Sequence, residues 1–171
     1  MKIINKKNIS SKGFTLIELV LYMGILMILI GILSSIFTSI VDVQLESTAT
    51  SSVNQDGRYL LSKLLYDVRS ASSITSPPNP GDTASTMQIT SNSIIYTYSL
   101  DSSNNLQVVN GSTSETIILN GYDTSVSDLT FTRIGSGDSN DTVRVSYTLT
   151  SKTKERSGQE TKSFQTTLGK Q

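Results

Sequence analysis

The sequence predicts an α+β protein. A long N-terminal helix, its first half able to span a membrane and its second half amphipathic, packs on a C-terminal antiparallel β-sheet. Three observations predict it. An uncharged apolar run fills residues 19–41, an apolar stripe at helical spacing follows within 42–75, and beyond it short alternating segments are separated by turn residues. The 171 residues include 14 basic and 14 acidic side chains, 36% apolar residues, and no Cys or His. Without Cys there is no disulfide, thiol nucleophile or Cys-ligated metal, and without His the commonest general base is missing. A net charge of zero argues against nucleic acid or an anionic membrane surface as an electrostatically driven partner.

Residues 1–13 carry Lys2, Lys6, Lys7 and Lys12 and no acid, and the apolar stretch Phe14–Val41 follows. A helix through Leu19–Val41 reaches roughly 34 Å at about 1.5 Å per residue, enough for a hydrocarbon core of about 30 Å. The lysines precede it and the acids Asp42 and Glu46 follow it, so the expected N-terminus is cytoplasmic and everything after Val41 lies outside. The run is too long for the core of a secretory signal peptide, and Ser47-Thr48-Ala49 is a poor cleavage site. A plain signal anchor gives no role to Gly13 or Glu18. Glu18 stands where the helix enters the apolar layer. A carboxylate there either has a function or sits at headgroup level and reaches into water, and position alone supports both.

Lys12-Gly13-Phe14-Thr15-Leu16-Ile17-Glu18-Leu19 resembles the prepilin signal of type IV pilins and type II secretion pseudopilins. The resemblance implies cutting between Gly13 and Phe14 by a membrane-embedded aspartyl peptidase that also methylates the new amine, making Phe14 an N-methylphenylalanine. It implies that Glu18, fifth in the mature chain, pairs with the terminal amine of a neighbouring subunit, and that the helix serves first as membrane anchor and then as filament core. The residue types agree with this. Glycine at 13 lets a peptidase approach the backbone, and the leader lysines hold the scissile bond on the cytoplasmic face. Many major pilins carry a proline where this chain has Ser35; here Gly24 and Gly31 are the weak points of the helix.

Between Asp42 and Ser73 there is no proline, and Leu60, Leu61, Leu64, Leu65 and Val68 form one stripe. Burying them contributes about 1.5–3 kcal/mol each before entropy is subtracted. The Ser/Thr-rich stretch 47–52 is a poor helix former where fraying or a bend is expected, and Asp56, Arg58, Lys63, Asp67 and Arg69 are expected on the solvated face. Pro77, Pro78 and Pro80, followed by Gly81, end the helical pattern.

Strands are expected at 87–90, 94–100, 106–109, 116–119, 126–134, 142–150 and 162–168, forming one antiparallel meander. Alternation is clearest where Val143, Val145, Tyr147 and Leu149 interleave with Arg144, Ser146 and Thr148. Ile94–Leu100, Asn105-Leu106, Ile117–Gly121, Val126–Phe131 and Val143–Tyr147, together with Leu61–Arg69 after the membrane helix, resemble the J-type minor pseudopilins and competence minor pilins.

The remaining clusters have ordinary readings. Residues 135–141 collect oxygen ligands, with Asp138, Asn140 and Asp141 as weak calcium candidates, but they lack the spacing and distal Glu of an EF-hand and read as a hairpin loop. Tyr59, Tyr66, Tyr96, Tyr98, Tyr122 and Tyr147 read as sheet or core residues rather than as a stacking platform for nucleic acid or sugar. Lys152, Lys154 and Arg156 share a solvated loop with Glu155 and Glu160. No nucleophile has an adjacent base, so neither an enzyme nor a cofactor is expected.

The expected organisation is a leader at 1–13, a membrane and filament-core helix at 14–41, an amphipathic extension at 42–75 and an extracytoplasmic β domain at 76–171. The expected function is a single-pass prepilin assembled as a minor subunit of a pilus or pseudopilus in secretion, DNA uptake or surface attachment. Its expected partners are the prepilin peptidase and methyltransferase, other pilin subunits and the membrane, with nucleic acid reached only through the assembled machine. The alternatives are a ligand-binding minor pilin on the same scaffold and an unprocessed membrane-anchored protein.

Overall fold

The computed structural model describes residues 13–135, 141–154 and 158–170, and the chain divides into two compact units, 1–41 and 42–171. Helix α1 (Leu16–Ser70) contributes residues to both. In the first unit its apolar side chains are exposed all round, from Leu16 to Val41, and this is the stretch long and apolar enough to cross a membrane. Two of its polar side chains bond within the helix: the Thr38 hydroxyl donates to the carbonyls of Ser34 and Ser35, and the Ser39 hydroxyl donates to that of Ser35. Such bonds leave little polar demand toward lipid.

In the second unit α1 buries a single stripe, Ala49, Val53, Gly57, Leu60, Leu64 and Val68, with Leu61 and Leu65 half-buried beside it. The Ser/Thr-rich stretch neither frays nor breaks the helix. The Thr48 hydroxyl and the Asn54 amide donate to carbonyls four residues back, and Ala49 and Val53 anchor the stretch in the core. The helix ends at Ser70 rather than near residue 75, and Ser73–Ser76 forms strand β1, too short and too mixed in pattern to be recognised from sequence.

Two antiparallel sheets replace the single meander expected. β1 pairs with β3 (Met87–Ser91), which continues through β4 (Ile94–Leu100) and β5 (Leu106–Asn110) to the edge strand β6 (Thr116–Ile118). The second sheet orders β2 (Thr83–Ala84), β7 (Thr124–Gly135), β8 (Thr142–Ser151) and β9 (Thr161–Gly169). Asn92 and Ser93 both take positive φ in the two-residue turn joining β3 to β4, the backbone a tight hairpin needs. The break into two sheets falls at Leu119–Asp123, where the buried Asn120 accepts from the Leu106 amide and donates to the Thr124 carbonyl.

Each sheet presents a buried tyrosine to the helix. Tyr98 of β4 donates to the Asp67 carboxylate at 2.6 Å, and Tyr147 of β8 donates to the Gly57 carbonyl at 3.0 Å. Asp67 and Asp56 therefore do not occupy the solvated face. Asp67 is buried by Tyr98, and Asp56 accepts from the Gly121 amide at 2.8 Å and the Thr124 hydroxyl at 2.5 Å. Three tyrosines also depart from the core reading: Tyr59, Tyr66 and Tyr122 are 50%, 70% and 92% exposed.

Gly57 allows the closest approach of helix and sheet, because a Cβ there would lie 2.1 Å from the Phe164 ring, itself stacked on Tyr147. Gly57→Ala is expected to cost about 1–3 kcal/mol by displacing that ring pair, measurable as a lowered urea midpoint of the full chain in detergent. Burial pushes the phenols of both Tyr98 and Tyr147 well above their ordinary range, and the Asp67 carboxylate adds to the effect at Tyr98. These groups stay protonated in the fold but ionise in the unfolded chain above about pH 10, so their contribution is whole below that pH and is lost as pH climbs past it. Thermal unfolding followed from about pH 8 to 12 is expected to show that decline, shallower in Tyr98→Phe and Tyr147→Phe.

Candidate processing and assembly site

The described chain begins at Gly13, just before α1. Among the described residues, its chain neighbours aside, no heavy atom lies within 4 Å of where a Cβ on Gly13 would stand, and Phe14 is 77% exposed. Lys12, with Lys2, Lys6 and Lys7, lies outside the described residues.

Thr15 caps the helix. Its hydroxyl oxygen accepts from the Glu18 amide at 3.3 Å, and its carbonyl accepts from the Leu19 amide at 3.1 Å. Thr15-Leu-Ile-Glu18 thus has the sequence and donor geometry of the Ser/Thr side of a capping box, and Glu18 is the acidic residue of the first turn, where the helix dipole favours negative charge. Glu18 is half-buried, and its carboxylate accepts from the Tyr22 hydroxyl at 3.2 Å. The Tyr22 ring also meets Phe14 edge-on, with centroids 6.1 Å apart. Tyr22 therefore touches both residues that the sequence singles out, and sequence reasoning missed it although its i+4 spacing from Glu18 was visible. Cap, dipole and phenol together let a carboxylate stand at the head of an apolar helix without a charged partner among the described residues.

Of the three calcium candidates, only Asp141 is among the described residues. Asp138 and Asn140 lie outside the described residues. Asp141 is buried and already committed as an ion-pair partner of Arg133, and its second oxygen accepts from the Ile74 amide. No cluster of three or more metal-ligating Asp or Glu side chains occurs among the described residues. Of the basic loop, Arg156 and Glu155 lie outside the described residues, and the Lys152 ammonium sits 5.7 Å from the centroid of the Tyr122 ring. Removing the cap acceptor with Thr15→Val is expected to weaken the first helical turn by about 1 kcal/mol, read by NMR in micelles as roughly fivefold faster hydrogen exchange at the Glu18 amide with Tyr59–Ser70 unchanged.

Residues 9–34 match the protein-family model described as the prokaryotic N-terminal methylation motif. No curated protein and no solved structure matches the chain. The motif, heading an apolar helix on an α+β fold, supports a type IV pilin or pseudopilin family and a prepilin that is processed and methylated for assembly.

Proposed function

We propose that the chain is a prepilin cut between Gly13 and Phe14, methylated on the Phe14 amine, and assembled through α1 as a minor subunit of a pilus or pseudopilus. The observation that carries this reading is the match over residues 9–34, which includes Gly13 and the exposed Phe14. Before cleavage the leader lysines keep the N-terminus in the cytoplasm, and the apolar helix holds the subunit in the inner membrane with residues 42–171 outside. Cleavage removes four of the 14 basic residues, so the mature side chains carry 10 positive and 14 negative charges.

Cleavage also exposes a positive amine about one helical turn from Glu18. Within a bundle of like helices, the Glu18 carboxylate pairs with such an amine on a neighbouring subunit. Both charges are then neutralised where neither is solvated, which sets the axial register of insertion. The partners are a prepilin peptidase and methyltransferase and other pilin subunits.

Co-expression with a prepilin peptidase should give an intact mass that begins at methylated Phe14. In the same cells Glu18→Ala should be processed normally but be recovered with filaments at a reduced level. An unprocessed chain starting at Met1 would overturn the reading, and undiminished recovery of Glu18→Ala would overturn the role given to Glu18.

A further inference from the structure

Two of the exposed tyrosines that depart from the core reading, Tyr59 and Tyr66, line one cleft of about 490 Å³ between the C-terminal part of α1 and the five-stranded sheet, together with the half-buried Tyr96. That volume is in the range of small-molecule sites. Its charged residues cancel. The Lys63 ammonium is 2.7 Å from one oxygen of Asp67, and the other oxygen takes the Tyr98 hydroxyl at 2.6 Å. Lys63 also stands 6.0 Å from the centroid of the Tyr66 ring, an attraction that helps fix a mostly exposed side chain. The hydroxyls of Tyr59, Tyr66 and Tyr96 and the side-chain amide of Asn92, which lines the same cleft, make no hydrogen bond among the described residues.

We propose that this cleft binds an uncharged sugar. A phosphate or carboxylate would find its one cation already paired, and a cation would find its one carboxylate doubly occupied. A wholly apolar ligand would leave the phenol and amide groups unpaired, at a cost of about 1–3 kcal/mol for each one buried. A pyranose matches the lining from both sides. Its C–H face stacks on tyrosine rings, and its rim of hydroxyls both donates to and accepts from the free phenols, the Asn92 amide and the remaining Lys63 N–H groups. Tyrosine offers this contact with little rotamer entropy to lose.

The test uses the full-length chain in a polyoxyethylene detergent, which has no sugar headgroup. Saturation-transfer NMR is run against glucose, galactose, mannose, N-acetylglucosamine, lactose, cellobiose and chitobiose. At least one should bind in the millimolar range or tighter. Tyr59→Ala and Tyr66→Ala, both exposed enough to leave the fold intact, should each weaken binding about tenfold, whereas Tyr122→Ala, outside the cleft, should not. Absence of binding by every sugar in the panel, or binding unchanged in both cleft variants, would overturn the proposal. So would loss of filament incorporation by the cleft variants with no sugar bound, because the cleft would then be a contact for a neighbouring subunit's polypeptide.

Discussion

One helix has to satisfy two different solvents, and the rest of the molecule follows from how its residues are divided between them. Along Leu16–Val41 the apolar side chains face every direction and none is covered, the pattern of a segment whose surroundings are hydrocarbon or other helices. From Ala49 to Val68 a single stripe is covered completely and the opposite face is polar. The covered stripe runs through Ala49, Val53, Gly57, Leu60, Leu64 and Val68, and its two smallest residues, Ala49 and Gly57, lie in its first half. Small residues admit bulk from the partner surface, and at Gly57 that bulk is the stacked pair of Tyr147 and Phe164. Dense packing of this kind fixes the helix on the second sheet, because no other side chain at 57 leaves room for the ring.

Two sheets sharing one helix could slide independently if only apolar contacts held them. Polar contacts are directional, and each sheet makes a buried one to the helix: Tyr98 to Asp67 from the first and Tyr147 to Gly57 from the second. Between the sheets, Asp56 holds the crossover at Gly121 and Thr124, while Asn120 ties Leu106 of one sheet to Thr124 of the other. Asp67, Asn120 and Thr124 are buried, and a buried polar group without its partner is costly, so the arrangement is specified more sharply than apolar burial alone would specify it.

Much of this was legible in the sequence because it is periodic. The uncharged run, the helical stripe and seven strands follow from spacing, and Ile94–Leu100 has the expected bounds. What was not legible depends on partners distant in sequence. Asp56 and Asp67 look like solvated-face residues on a helical wheel, and only the arrival of Thr124 and Tyr98 from 68 and 31 residues away covers Asp56 in part and buries Asp67. The four-residue β1 and two-residue β2 are too short to carry a period, and the split into two sheets is set by Asn120, whose Asn-Gly sequence reads simply as a turn. At the candidate site the motif residues were visible at once, whereas Tyr22 was hidden inside a run that hydropathy treats as uniform.

The absence of cysteine gives the connection between the sheets its character. The polypeptide passes from β1 in one sheet to β2 in the other through Pro77, Pro78 and Pro80, which lack amide hydrogens and cannot form ladder bonds of their own. Their carbonyls still need donors. Arg133 of β7 supplies them, its guanidinium donating to the carbonyls of Ile74, Pro77 and Pro78 at 2.9–3.1 Å and to Gly135 at 3.3 Å, with Asp141 as its counter-ion. Asp141 in turn accepts from the Ile74 amide, so strand β1, the proline turn and the start of β8 converge on one buried ion pair. An ion pair of this kind gains little over an apolar contact in stability, but it cannot lose either member without leaving a buried charge. The pair therefore acts as a register lock, joining segments about 60 residues apart as a disulfide would. It also gives Asp141, one of the three calcium candidates, a cation of the protein's own as its partner.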